Sequence, residues 1–208
     1  MYIPPSFLET DVSQLHAFME QHSFATLVSF HAGEPLGSHL PLLVNRETAP
    51  YGSLIGHMAR ANPHWQAAAD QRILAVFHGP HAYISPGWME DQNVVPTWNY
   101  IAVHASGTLR LIPDRDRLLE VLQRTVNRYE SNREQPWSMD APDPEFIERL
   151  LAAIVGFEIV IDRLEGKWKL SQNHPVERRE QVIGGLLETG RTDEQQIAEL
   201  MRATRQRP

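Results

Sequence analysis

The sequence has no cysteine among its 208 residues. This absence excludes disulfide bonds, zinc–thiolate sites, iron–sulfur clusters and thiol nucleophiles, so any redox chemistry needs a bound cofactor. The chain also lacks an 18-residue apolar run, and no basic segment followed by an apolar one opens its N-terminus. Neither a membrane-spanning helix nor a secretory signal is therefore predicted, and we expect a soluble protein of the cytoplasm.

Positive charge is scarce as well. The chain carries 19 Lys and Arg against 26 Asp and Glu, which gives a formal net charge of −7. A dedicated nucleic-acid binder normally shows a basic surface, and this composition does not predict one. No Gly-x-Gly-x-x-Gly segment follows a predicted strand, so a Rossmann site for a nicotinamide is not expected. The length favours one domain with an appendage.

The most informative segment joins an apolar strand to the start of a helix. Asn62 is a favourable N-cap residue and Pro63 suits the first helical position. Free backbone N–H groups and the positive end of the helix dipole would then point toward His57 and Arg60, where a phosphate can bind. An ordinary capped helix with a surface arginine accounts for the same residues, and this segment alone leaves both interpretations open.

The remaining pattern is mainly β with attached helices. Strands rich in β-branched and aromatic residues are joined by short turns, which favours an antiparallel barrel over an alternating βαβ fold. We predict strands at 24–30, 36–44, 53–57, 73–78, 82–85, 98–112 and 157–161, the last one ending in a turn at Glu165-Gly166. Helices are predicted at 12–19 and 63–70, from Pro113-Asp114 onward, and at 146–154.

The C-terminal part of the sequence becomes charged and helical from Pro175 onward. Two helices, 176–189 and 192–205, are predicted on either side of Gly190. We therefore expect a barrel domain at 1–170 and a helical extension at 171–208. The two helices could form a helix-turn-helix, but a hairpin that packs on the barrel or on a partner subunit is the simpler interpretation. Positive charge at Arg202, Arg205 and Arg207 is offset by Asp193, Glu194 and Glu199.

Three further segments combine polar and aromatic residues in an unusual way: His81-Ala-Tyr-Ile-Ser-Pro-Gly-Trp88, Val95-Pro-Thr-Trp-Asn-Tyr100 and Gly166-Lys-Trp-Lys-Leu-Ser-Gln-Asn173. Together with the opening 1–5 and the strand 38–42, they resemble the FMN-binding negative transcriptional regulator family, often called PaiB-like. The resemblance runs in order over nearly the full length. It implies an α+β split β-barrel, similar to the pyridoxamine phosphate oxidase superfamily, that binds flavin mononucleotide (FMN) at a homodimer interface.

FMN requires positive charge and donors for its phosphate, an apolar slot for its ring system and hydrogen-bond partners along its pyrimidine edge. Arg60, Asn62 and the helix start are the candidates for the phosphate, with His57 and the backbone up to Ala59 within reach. The resemblance to split-barrel flavoproteins implies that Ser38, His39 and Leu40, which belong to one strand, lie beneath the ring.

Two segments are candidates for the ring and the subunit interface. Trp98 and Asn99 start a long alternating strand, where an uncovered aromatic is costly unless a flavin or a partner subunit covers it. Lys169, Ser171 and Gln172 follow the last strand and could reach the cofactor of the other subunit. Simpler interpretations stay open, since Trp98 could be a core aromatic and residues 171–173 an ordinary loop.

Other chemistry is less well supported by the residue pattern. The ten histidines show no His-Glu-x-x-His spacing, so we predict no metal site. Tyr83 and Ser85 lie on one side of a predicted strand and could contact the flavin edge or the dimer interface. Ser85 has no Gly-x-Ser-x-Gly context, which argues against a serine nucleophile.

The function expected from the resemblance is that of an FMN-binding homodimeric regulator. A flavin-dependent oxidoreductase that acts on a small molecule with reduced nicotinamide is the alternative, and a flavin or haem carrier without turnover is a third. Direct contact with DNA is left open by the C-terminal helices, although the acidic net charge gives it little support.

Overall fold

The computed structural model describes residues 1–48, 50–91 and 93–204. Its helices are α1 Val12–Gln21, α2 His64–Ala68, α3 Arg115–Glu130, α4 Pro144–Ala152, α5 Val176–Glu188 and α6 Thr192–Ala203. Its strands are β1 Leu8–Glu9, β2 Phe24–His31, β3 Glu34–Pro41, β4 Leu43–Asn45, β5 Ser53–Ala59, β6 Arg72–Ile84, β7 Thr97–Ile112 and β8 Ile154–Lys169. Short 3₁₀ turns lie at Pro5–Phe7 and Pro86–Trp88.

The strands of the described residues form one sheet in the order β3-β2-β6-β7-β8-β5-β4, and β1 pairs with β8. Strand β2 pairs antiparallel with β3 and β6, and strand β5 pairs antiparallel with β4 and β8. Some strands that are neighbours in the sheet, such as β2 and β6, are not consecutive along the chain, as in a barrel. This arrangement confirms the predicted α+β class with an antiparallel, split-barrel sheet.

Several predicted elements are confirmed with small changes at their ends. The first hairpin turns at Ala32 and Gly33, whose φ values of 51° and 86° are those of a two-residue hairpin turn. The long strand β7 and the helix that follows Asp114 lie where the alternation and the apolar stripe predict them, and the Asp114 side chain accepts a hydrogen bond from the Arg117 N–H. The strand predicted at 36–44 divides at the buried Leu42 into β3 and β4.

Two strand predictions were wrong because glycine and proline were interpreted as breaks. The strands predicted at 73–78 and 82–85 form the single strand β6. Its buried positions change from odd to even numbers around Gly79, so the strand bends there without ending. The last strand does not turn at Gly166, because β8 continues to Lys169. A Cβ at Gly166 would overlap Leu15, so glycine at this position of β8 allows Leu15 of α1 to pack closely against the strand.

Two helix predictions also needed correction. The predicted helix 63–70 is only the five residues of α2, because Ala69 is extended and the Asp70 N–H donates to the Leu109 carbonyl. The helix predicted at 146–154 begins earlier, at Pro144, and ends at Ala152, since Ile154 already opens β8.

The chain divides into two compact units. The first comprises Met1–Phe18, His78–His104 and Glu165–Pro208, and its core includes Ile84, Ile101, Trp168, Leu186 and Met201. The second comprises Met19–Phe77 and Ala105–Leu164, and its core includes Leu27, Leu54, Phe77, Leu109 and Phe157. The boundary expected near residue 170 stays a prediction. Within the described part of the chain, no helix is long and apolar enough to cross a membrane.

Gly107 lies in β7 beside the backbone of Val160 in β8. A Cβ at this position would overlap the Val160 carbonyl oxygen and lie 2.8 Å from the carbonyl carbon. Because the obstacle is backbone, Gly107→Ala should lower the free energy of unfolding by about 3 kcal/mol, the upper end of the usual cost of overpacking. Urea-induced unfolding measures this difference.

Gly37→Ala is the matched control, because a Cβ at that position meets no atom within 4 Å among the described residues beyond its two chain neighbours. Its effect should stay within about 0.5 kcal/mol. Equal free energies of unfolding for the two variants would contradict the close approach of β7 to β8.

Candidate functional site

A cavity of about 340 Å³ lies in the first unit, between the start of β7, the end of β8 and helix α5. We call it the Lys169 cavity. Its walls combine apolar side chains with amides and cationic groups, and they comprise Phe7, Ile84, Met89, Asn93, Val94, Val95, Thr97, Asn99, Lys169, Ser171, Asn173, His174, Arg178 and Val182. Of the residues proposed from sequence, it brings together Asn99, Lys169 and Ser171.

A buried polar pair forms one wall of the Lys169 cavity. Asn99 is 1% exposed and Ser171 is 5% exposed. The Asn99 amide Nδ2 lies 3.0 Å from the Ser171 Oγ, and the Ser171 hydroxyl lies 3.3 Å from Asn99 Oδ1. Ser171 has a φ of 62°, in the left-handed region that costs free energy for a residue with a Cβ. Strain of this kind, retained in a buried polar cluster, is typical of a ligand site.

Positive charge in the Lys169 cavity is incompletely compensated. The Lys169 ammonium donates to the Thr97 hydroxyl and to the Trp98 carbonyl oxygen, 2.6 Å away, and both acceptors are uncharged. Burial, followed by the nearby Lys167, lowers the pKa of Lys169. Burial, then Arg178 and Lys169, lowers the pKa of His174. An anionic ligand would relieve this repulsion and favour the protonated forms of both residues.

These features fit FMN. The ring system needs an apolar slot, which Ile84, Val94 and Val182 can line, and its polar edge needs hydrogen-bonding groups, which Asn99 and Ser171 supply. Among the residues that the structure describes, no carboxylate pairs with Lys169, so its ammonium suits the carbonyl oxygens along the polar edge of the ring.

A second polar cluster lies in the second unit, around the start of α2. The Ser38 hydroxyl lies 2.8 Å from His64 Nδ1 and accepts a hydrogen bond of 3.1 Å from Asn62 Nδ2. The other ring nitrogen, His64 Nε2, lies 2.8 Å from the Ser29 hydroxyl. His64 is 2% exposed, and this burial lowers its pKa, which favours a neutral ring. The cluster thus fixes Ser38 and Asn62 by neutral hydrogen bonds.

The predicted N-cap is displaced by one residue. Pro63 occupies the N-cap position of α2, while Asn62 Oδ1 accepts from the His64 N–H at 3.0 Å. A helix of five residues offers little dipole, so the predicted anion site at its N-terminus loses that support.

Arg60 makes contacts that the sequence did not indicate. Its guanidinium donates through Nε to the Ala152 carbonyl at 2.7 Å and through Nη2 to the Ile154 carbonyl at 2.8 Å. Its backbone carbonyl accepts from Trp65 Nε1 at 2.9 Å. Arg60 therefore caps the C-terminal end of α4 and holds the start of β8. The side chain remains exposed, and a phosphate role for it stays a prediction.

The other predicted residues near this cluster differ in orientation. His39 follows Ser38 along β3 and therefore lies on the opposite face, where its Nδ1 is 3.1 Å from the Thr26 hydroxyl. Leu40 shares the Ser38 face and is partly buried. His57 is partly buried in β5, which lowers its pKa, and Ala59 is exposed at the end of the same strand.

Strand alternation also separates two predicted neighbours in β7. Asn99 faces the Lys169 cavity, whereas Trp98 lies on the other face of the strand and is 52% exposed. Gln172 does not line the Lys169 cavity, because its amide accepts from the Leu170 N–H and donates to the Trp168 carbonyl. It holds the turn after β8.

Among the residues that line the Lys169 cavity, the sequence analysis did not single out His174 and Arg178. Arg178 forms an ion pair with Asp91, and its Nη1 lies 3.0 Å from His174 Nδ1. Their signal was available, since His174 directly continues the 166–173 segment and Arg178 lies in the first turn of the next helix.

The arrangement of His, Asp and Glu side chains shows whether the described residues can hold a metal ion. Across residues 1–48, 50–91 and 93–204, no group of three or more His, Asp or Glu side chains is placed to hold a metal ion. The ring of the buried His64 is held instead by two serine hydroxyls.

Solved structures share this fold at low sequence identity. A FAD- and haem-binding protein of Mycobacterium smegmatis superposes with a TM-score of 0.59 at 15% identity, covering 86% of this chain and 80% of that one. The flavocytochrome Anf3 of Azotobacter vinelandii gives a TM-score of 0.58 at 15% identity, covering 78% and 69%. These likenesses confirm the split-barrel fold and carry no more than that.

Sequence relatives are considerably more similar. The chain is 38% identical over 202 residues to a Bacillus subtilis protein named protease synthase and sporulation protein PAI 2, covering 97% of this chain and 96% of that one. An uncharacterized protein of Emericella nidulans, AN0679, is 28% identical over 242 aligned positions. The first relative bears out the PaiB-like resemblance. A family model described as "Putative FMN-binding domain" matches residues 1–163, so the chain belongs to that family and FMN is confirmed as its predicted cofactor.

Proposed function

We propose that this protein is an FMN-binding homodimer of the PaiB-like kind that regulates gene expression in response to its flavin. The observation that carries the proposal is the Lys169 cavity, where an uncompensated ammonium group and a strained, buried serine stand beside apolar walls. Family membership supplies the identity of the cofactor.

Each side chain has a separate task in this proposal. Asn99 and Ser171 orient the polar edge of the ring, and Lys169 provides positive charge for the carbonyl oxygens of that edge. Ile84, Val94 and Val182 exclude water from the apolar part. When bound, FMN supplies one- and two-electron redox chemistry. Ser38, Arg60 and Asn62 lie in the second unit, and a phosphate role for them stays a prediction that is separate from this proposal.

The homodimer is supported by an exposed apolar sheet face in the second unit. Phe24 and Phe30 on β2 are 69% and 68% exposed. By strand alternation and register, Thr26 and Val28 share their face and are paired with Val76 and Leu74 of β6. An apolar sheet face of this kind is rarely left open to water and is typical of association. Its partner is proposed to be a second copy of the chain.

The regulatory part of the proposal does not depend on direct reading of DNA by the C-terminal hairpin. Ile197, Ala198 and Met201 of α6 are fully buried, so that face of the helix packs against its own unit. The first turn of α6 carries Asp193 and Glu194. Arg205 and Arg207, two of the three predicted cationic residues, lie outside the described residues. Regulation is therefore proposed to follow the state of the flavin.

Binding of FMN is tested by replacing Lys169. Lys169→Gln should weaken FMN about 10- to 100-fold, because a charge-assisted hydrogen bond contributes about 1.5–3 kcal/mol. Quenching of FMN fluorescence during titration measures the dissociation constant. Arg202→Gln is the control, since it removes one positive charge from an exposed position on α6 and should leave FMN affinity unchanged.

The pKa of His174 gives a second measurement, and a variant that has merely unfolded would not show the change expected on FMN binding. FMN should lower the pKa of His174 further, because the bound ring adds to the burial that is the largest cause of its lowered pKa in the free protein. Binding then releases protons, so affinity increases as the pH rises through the pKa of His174. An unchanged His174 titration by NMR, with FMN bound at full occupancy, would place the flavin elsewhere.

The dimer is tested with a charge on the exposed sheet face. Phe30→Asp should shift the molecular mass from twice 23.7 kDa toward 23.7 kDa at micromolar concentration, because an unpaired carboxylate is costly to bury. Light scattering measures the mass. Phe146→Asp, on the 44%-exposed Phe146 of α4, should leave the dimer intact. A monomeric unmodified protein would refute the proposed dimer.

Direct DNA recognition is tested by gel shift at physiological salt. With about three to six phosphate contacts, binding should fall steeply with salt, at a log–log slope near −0.9 per contact, and show no sequence preference. Deletion of residues 190–208 should leave FMN binding intact. Nanomolar, sequence-selective binding that the deletion abolishes would instead make the hairpin a DNA-reading element.

A further inference from the structure

A second cavity in the first unit has the opposite charge to the Lys169 cavity. It has a volume of about 260 Å³, and we call it the Trp98 cavity. Three aromatic side chains line it together with the first turn of α6, and the lining comprises His81, Ala82, Tyr83, Trp98, Arg191, Asp193 and Glu194. Because Trp98 and Asn99 alternate along β7, the two cavities lie on opposite faces of this strand.

The aromatic side chains of the Trp98 cavity form an open cluster. The rings of Tyr83 and Trp98 meet edge to face with their centroids 5.9 Å apart. The ring of His81 lies 6.1 Å from that of Trp98. Trp98 is 52% exposed and Tyr83 is 43% exposed, so much of both rings is in contact with water. The faces of aromatic rings carry partial negative charge and attract cations.

Two carboxylates add formal negative charge beside these rings. Asp193 Oδ2 lies 3.6 Å from His81 Nδ1, and Glu194 Oε1 lies 3.6 Å from the guanidinium of the exposed Arg191. Glu194 is only 8% exposed, and within the part of the chain that the structure describes its Oε2 is buried and accepts no hydrogen bond. A buried carboxylate oxygen without a donor is costly, and a cation next to it lowers that cost.

The position of the two carboxylates has a simpler partial explanation. Acidic residues in the first turn of a helix interact favourably with its dipole. That effect accounts for Asp193 and Glu194 at the start of α6. It does not account for the exposed indole and phenol rings beside them, or for the hydrogen-bond acceptor that remains without a donor at Glu194.

We propose that the Trp98 cavity binds an organic ammonium cation, with its charge between the rings of Tyr83 and Trp98 and the carboxylates of Asp193 and Glu194. A small alkylammonium group combines the positive charge that the carboxylates need with the apolar surface that the rings cover. Negatively charged ligands are repelled by the same carboxylates. This site is independent of the proposed flavin site, which has the opposite charge.

The test uses the full-length protein and two probes, tetramethylammonium and n-butylammonium, in isothermal titration calorimetry. Both should show saturable binding. Asp193→Asn and Trp98→Leu should each weaken binding about tenfold, whereas Trp98→Phe, which keeps an aromatic face, should weaken it less. Glu188→Gln, at the end of α5 and outside the cavity, is the control and should leave binding unchanged.

A comparison of FMN-loaded and FMN-free protein decides whether the site is separate. Equal affinity for n-butylammonium in both forms supports the proposal. Competition between FMN and the ammonium probes would overturn it and assign Trp98 to the flavin site. Absence of saturable binding, or binding that Asp193→Asn and Trp98→Leu both leave unchanged, would also overturn it. Circular dichroism of each variant establishes that it is folded.

Discussion

The hydrogen bonds between Asn99 and Ser171 are the contact on which the candidate site depends. They join the start of β7 to the residue that follows β8 by two positions, and both side chains are almost fully buried. Since a buried polar group without its partner costs about 1–3 kcal/mol, the pair keeps Ser171 in its left-handed conformation. That conformation ends β8 and starts the turn to α5, so Lys169, His174 and Arg178 come to line one cavity.

Successive side chains of β7 point to opposite faces of the strand, and these two faces differ in charge. Thr97 and Asn99 face a cavity where positive charge is in excess, while Trp98 faces one where carboxylates and aromatic rings meet. A single strand thus separates an anion-attracting site from a cation-attracting site. The two cavities share no described lining residue, so we expect the proposed flavin site and the proposed ammonium site to be occupied independently of each other.

Elements that depend on local pattern were predictable from the sequence. The alternation of 98–112, the apolar stripe after Asp114 and the turn at Ala32-Gly33 each correspond to an observed element. Long-range contacts were not predictable, because the carbonyls that hold Arg60 lie about 90 residues away along the chain. Gly166 was interpreted as a turn because its packing against Leu15 depends on tertiary structure. For the candidate site, the unusual segment 166–173 singled out Lys169 and Ser171, whereas the His64 cluster became apparent only in three dimensions.

The central claim is that the Lys169 cavity holds the ring system of FMN. Its most direct test is a crystal structure of the protein grown with FMN. Density for the ring system in contact with Asn99, Lys169 and Ser171 is the predicted result. Density for FMN at full occupancy elsewhere, with this cavity filled only by water, would contradict the account.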